Sequence, residues 1–93
     1  MAYTEVKIVE VLPDDSGAGI TKTARGYSFG VRYRLENGEI ESSTETCRLL
    51  REAKAEVASL PKRPKYPMIA RYDDNGRRVA IVARISFSIG ADV

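Results

Sequence analysis

Residues 27 to 36 alternate strictly between apolar and polar. Tyr27, Phe29, Val31, Tyr33 and Leu35 interleave with Ser28, Gly30, Arg32, Arg34 and Glu36. A period of two predicts a strand with one buried and one wet face, here over about residues 25–36. Asn37-Gly38 follows at once. That pair favours a two-residue type I′ hairpin, in which both central positions need positive φ. A returning strand is expected at 39–43, with Ile40 as its main apolar contact. Glu39 and Glu41 would then face Arg32 and Arg34 across the polar side.

The flanking segments follow the same logic. Residues 3–12 are rich in β-branched side chains; Val6, Ile8 and Leu12 share a parity that Glu10 interrupts. They predict a half-buried first strand. Residues 13–24 hold Pro, Asp, Ser and Gly in turn-forming order and predict a mobile loop. Further on, Thr46, Leu50, Ala53, Val57 and Leu60 recur at helical spacing. They predict one amphipathic helix over about 44–60, opened by a Ser42/Glu45 capping box and ended by Pro61. Cys47 would lie in its first turn. A Pro-rich connector is expected at 61–67. Strands at 66–72 and 77–89 then bracket the turn Asp73-Asp74-Asn75-Gly76. Val79 to Ala83 is apolar on both faces, which predicts a central position for the last strand.

The element order is β-β-β-α-β-β within one domain, residues 1–93. The fold class is α+β, mostly β. An OB-like small barrel and an SH3-like bent antiparallel sheet with one helix both fit this order.

Composition narrows the chemistry. The chain has 93 residues, no histidine, no tryptophan and a single cysteine. Without histidine it cannot build a Ser-His, Cys-His or His-metal site of its own. One cysteine cannot close an internal disulfide. No catalytic residue, metal site or cofactor is expected. The segment 17–23 lacks the glycine that a phosphate loop places before its lysine. The Asp-rich turns at 14–17 and 73–76 meet Arg25 and Arg84 where a calcium loop needs its twelfth-position carboxylate. Cys47 reads as a small half-buried residue. Arg25-Gly26-Tyr27-Ser28-Phe29 is similar to the strand motif on which RNA-binding modules stack bases. Those rings share their face with the most apolar series in the chain, so they are expected in the core.

The net charge of +2 is unevenly spread. Residues 1–47 carry five Lys+Arg against eight Asp+Glu, and residues 48–93 carry ten against five. Lys62, Arg63, Lys65, Arg71, Arg77 and Arg78 are the candidate contacts for an anion or nucleic acid. They would form one patch if the connector approached the second hairpin turn. MAYTEVKIVEV has no basic or strongly apolar leader pattern, and the longest apolar run is Val79–Ala83. A spanning helix needs about 20 mostly apolar residues. The expected setting is therefore soluble and cytoplasmic.

Two stretches resemble a known family. Tyr27-x-Phe29-x-Val31-x-Tyr33, ending in Glu36-Asn37-Gly38-Glu39, is similar to a Y-x-V-x-Y hairpin. Ala53 to Pro61, then Tyr66 to Asp73 and Arg78 to Val82, resemble a segment leading to V-x-Y-D-P. Together they resemble the bacterial domain of unknown function 3592. The resemblance implies a small β-rich domain, often found beside membrane helices, and no defined activity. Asp74 stands where that pattern has proline. The expected function is a non-enzymatic binding or assembly module, with an unknown protein or a second copy as partner. The alternative is an OB-like domain that binds single-stranded nucleic acid through the basic second half.

Overall fold

A computed structural model describes residues 3–83. Strand β1 spans Thr4–Pro13, β2 Thr21–Thr23, β3 Gly26–Leu35 and β4 Ile40–Cys47. Helix α1 spans Leu50–Ser59, and β5 (Met68–Tyr72) and β6 (Arg78–Ala83) follow. All six strands join one antiparallel sheet.

The alternating segment is the centre of this sheet. β4 pairs with β3 along residues 27–34. β1 pairs with residues 31–35 and β2 with residues 26–28. Because β4 occupies one edge of β3, β1 and β2 must share the other, end to end. β5 then lies beside β1, and β6 beside β5. The order β5-β1-β3-β4 is a Greek key, in which the fourth long strand returns to the first. OB-type barrels share this Greek-key order; here it runs through a six-stranded sheet with no closing ladder among the described residues.

The apolar face of β3 builds the core as expected. Phe29, Val31, Tyr33 and Leu35 are buried with Ile8, Val11, Ala53 and Ala70, and Tyr27 packs against them half-buried. β1 reaches this core only through a bulge. Its register to β3 shifts between Ile8 and Glu10. One extra residue reverses the alternation, so Val11 turns inward in place of the expected parity partner Leu12. That removes the conflict at Glu10, which faces out and binds Arg34 at 2.9 Å.

Several boundaries differ from expectation. The loop 13–24 is not wholly irregular, since Thr21–Thr23 pairs with β3. The third long strand runs to Cys47, not residue 43, and the helix begins at Leu50, not 44. Ser43–Thr46 has ladder partners at residues 28–31 of β3, and pairing overrides its helical spacing. The expected cap at Ser42 is absent for the same reason. Glu52 instead accepts the Leu49 amide hydrogen at 3.2 Å. Ala53 is the helix residue that reaches the core; Leu50 and Val57 stay 39% and 37% exposed. β5 starts at Met68 rather than 66. β6 borders only β5 among the described residues, so it is not central there. The expected continuation over 84–89 lies outside the described residues.

The first hairpin carries the most consequential difference. Among the described residues none other than glycine has positive φ, so Asn37-Gly38 does not form a type I′ turn. The Gly38 amide donates to Leu35 O at 2.9 Å, and Leu35 donates to Glu39 O at 2.8 Å. Gly38 sits at φ +92°. This is a three-residue loop: a type I turn followed by a left-handed glycine. Asp73–Arg77 repeats it, with Gly76 at φ +79°. The two-residue loop would pair Arg34 with Glu41. The three-residue loop pairs Tyr33 with Glu41 and Arg34 with Ile40. A slip of one residue turns every side chain of a strand over. Ile40 is therefore 42% exposed rather than a core contact. Glu41, Ser43 and Glu45 turn to the inner side, and Glu39 and Glu41 do not face the β3 arginines.

The loop glycine is open to test. Gly38→Ala meets no atom within 4 Å but must hold φ +92°. We expect a loss of about 1 kcal/mol in denaturant unfolding. Gly26→Ala should cost more, because its Cβ would lie 2.3 Å from the Cys47 carbonyl oxygen. Equal stability of the two variants and the parent would contradict this account of the hairpins.

Candidate binding groove

The six candidate cations do not form one patch. Lys62, Arg63 and Lys65 sit on the connector before β5, and Arg77 and Arg78 follow the turn after it. Met68 and Tyr72 mark opposite ends of β5, about 13 Å apart at the usual strand rise. The connector and the turn are therefore held apart.

Most of this charge is met by carboxylates. Lys62 and Lys65 both bind Glu56 of α1, the second at 3.1 Å. Arg71 meets Glu5 across the β1–β5 ladder at 2.8 Å and lies over the Tyr3 ring. Arg78 binds the Ser42 carbonyl at 2.7 Å and approaches Glu41 at 3.5 Å. Arg63 and Arg77 make no ion pair among the described residues. The lysine partners hold the Glu56 carboxyl below the usual carboxylate range, and Glu56 in turn raises Lys65.

A groove of about 500 Å³ opens beside Arg63. Its geometry follows from the ladder. Lys62 exchanges both backbone bonds with Val11, at 2.8 and 3.0 Å. Met68 lies opposite Ile8. Between these anchors the connector has three more residues than β1 can pair. Residues 63–67 bow outward, and Pro64 and Pro67 have no amide hydrogen with which to pair. The groove lies between this bow and residues 7–9. Lys7, Arg63 and Lys65 supply charge; Val9, Pro64, Tyr66 and Pro67 supply apolar wall. Lys7 makes no ion pair among the described residues. Val9 is 37% and Tyr66 45% exposed. Sequence reasoning missed Lys7, Val9 and Tyr66. The prolines signalled the bow, but the β1 bulge and the register that place Lys7 beside it left no local pattern.

The second feature is the seam where the sheet curls on itself. Tyr72 donates to Glu41 at 2.6 Å, and Tyr33 donates to Glu45 at 2.9 Å. The Tyr72 bond and the Arg78 contacts span the gap between β4 and the β5–β6 hairpin, while the Tyr33 bond lies within the β3–β4 pair. Burial and then Glu45 push the Tyr33 hydroxyl well above its usual range. Burial and then the Glu41 bond push Tyr72 up to about 12. A cleft of about 210 Å³ lies beyond, lined by Glu45, Glu56, Met68 and Tyr66 among others.

Cys47 ends β4 instead of opening the helix. Burial raises its thiol, and Glu56, Glu52 and Glu45 add to the effect. It is the opposite of an activated thiolate. The aromatics of the RNA-binding-like motif are core residues: Phe29 is buried and Tyr27 half-buried. The outer face of β3–β4 presents Ser28, Gly30, Arg32, Arg34, Ser42, Thr44 and Thr46, with no aromatic ring. Among the described residues no group of three His, Cys, Asp or Glu is arranged to hold a metal ion, and no helix is long and apolar enough to cross a membrane.

No family model, curated protein or solved structure matches the chain.

The seam predicts alkaline sensitivity. A tyrosine raised in the folded state favours the protonated fold, so its contribution is intact below its unfolded pKa of about 10. It is lost as pH rises through the folded value. Unfolding free energy should fall between pH 10 and about 12, and Tyr72→Phe should flatten that fall. Tyr33→Phe should cost about 1.5–3 kcal/mol at neutral pH, because a carboxylate loses a hydrogen-bond donor. For Cys47, native-state labelling by a thiol reagent should be slow at pH 6; rapid labelling would contradict the raised thiol.

Proposed function

We propose that the chain is a small non-enzymatic binding module. Its contact surface is the groove between residues 7–9 of β1 and the bow 63–67, and its ligand is anionic. One observation carries this reading. Lys7 and Arg63, without ion-pair partners among the described residues, flank an exposed tyrosine and an exposed valine in the same groove. Exposed apolar surface beside uncompensated charge is what an interface core with a polar rim requires. Arg71 and Arg78, by contrast, are held by Glu5 and Glu41 and serve the fold. A relation to the family resembled by the 27–39 hairpin belongs to the same proposal.

Single-stranded nucleic acid is the second reading. The Greek-key order and the groove's combination of cations with one exposed ring favour it. Self-association through the edges of β4 or β6 would add assembly to either reading.

Amide-shift mapping tests the groove. Polyglutamate and oligothymidylate, titrated separately, should shift amides of residues 7–9, 63, 65 and 66 with at least one of the two. The effect should weaken steeply with salt. Shifts confined to other surfaces, or none with either polymer at low salt, would overturn the reading.

A further inference from the structure

The groove's geometry points to a more specific occupant: we infer that it takes an extended acidic segment of a protein partner. The inference rests on the groove reading above and names its ligand.

Charge complementarity sets the sign. Three cationic side chains, Lys7, Arg63 and Lys65, line the groove, and no acidic side chain lines it. Lys65 is shared with Glu56, which stands on the other side of the connector.

The wall chemistry decides between the two macromolecules. Single strands are held by successive aromatic platforms that stack on successive bases. This groove has one ring, Tyr66, set between Pro64, Pro67 and Val9. The β3–β4 outer face, where OB-type domains hold their strands, has none. Prolines, a valine and one tyrosine form a surface on which aliphatic and aromatic side chains pack, with the cations at hand for interspersed carboxylates. An extended polypeptide supplies both in alternation, because successive side chains of a strand point to opposite sides. The groove is bounded by an extended strand on one side and a proline-stiffened bow, bent at Lys65 and Tyr66, on the other. That shape admits an extended segment.

The test compares three labelled probes by fluorescence anisotropy. They are an alternating Glu-Tyr peptide, an alternating Lys-Tyr peptide and an oligothymidylate of matched length. The Glu-Tyr peptide should bind, the Lys-Tyr peptide should not, and the oligothymidylate should bind more weakly than the acidic peptide. Lys7→Glu with Arg63→Glu should weaken the acidic peptide by about tenfold or more. The milder Lys7→Gln with Arg63→Gln should weaken it less and lower its salt dependence. Tyr66→Ala should weaken binding while leaving the salt dependence unchanged. Both charge variants alter exposed side chains, and their circular dichroism should match the parent. Tighter binding of oligothymidylate than of the acidic peptide, lost in the same variants, would overturn the inference and leave the groove reading standing. Binding of neither anionic probe would overturn both. Acidic-peptide binding that ignores both charge variants would move the site elsewhere and overturn both as well.

Discussion

The pairing of β3 with β4 is one residue away from a different protein. A three-residue loop at Glu36–Gly38 sets Tyr33 against Glu41. From that single offset, Glu41, Ser43 and Glu45 turn inward and Ile40 turns outward. An inward carboxylate without a donor is costly. Here the two inward carboxylates have donors: Tyr33 and Tyr72 through their hydroxyls, and Arg78 through its guanidinium. The polar seam is thus a consequence of the register. It also couples the far hairpin to β4, so the sheet curls without a ladder between its outer strands among the described residues.

The groove depends on β1 and the connector that follows the helix. β3 is paired on both edges, and β1 carries a bulge where it joins β3. The bulge turns Val11 into the core and leaves Val9 37% exposed. β1 then offers Val11 to Lys62 and Ile8 to Met68. The connector between those anchors is too long to pair and must bow. The bulge thus satisfies the core, and the length of the connector opens the groove. Glu56 steadies the bow from the helix side by gathering Lys62 and Lys65. This ion cluster is half-buried at Lys62 and more exposed at Lys65, so its value is chiefly in holding position. Its depressed carboxyl gives a contribution present above the ordinary carboxylate pKa and lost as pH falls through the lowered value.

The uneven charge of the chain takes on a different meaning in three dimensions. The acidic first half supplies Glu5 and Glu41 to the basic second half, which answers with Arg71 and Arg78. Glu56 does the same within the second half. Charge asymmetry along the sequence thus becomes pairing across the sheet. Lys7 and Arg63 stand outside this pairing among the described residues.

By itself, the sequence determined the elements with strong internal periodicity. Period two made β3 a strand and its apolar face the core, because no other arrangement buries Phe29, Val31, Tyr33 and Leu35 together. Prolines and glycines marked the turns and the connector, because their φ restrictions act locally. The absent histidines excluded whole classes of chemistry without any structure. Tertiary structure decided the rest. Residues 44–47 satisfy a helical spacing and a strand ladder equally well, and only the partner strand broke the tie. Loop length at Gly38 set the facing of β4, since Asn-Gly serves more than one turn. The bulge in β1 was invisible because it is a response to two neighbours. The groove combines residues 7–9 with 63–67, distant in the chain, and such a juxtaposition has no local signature.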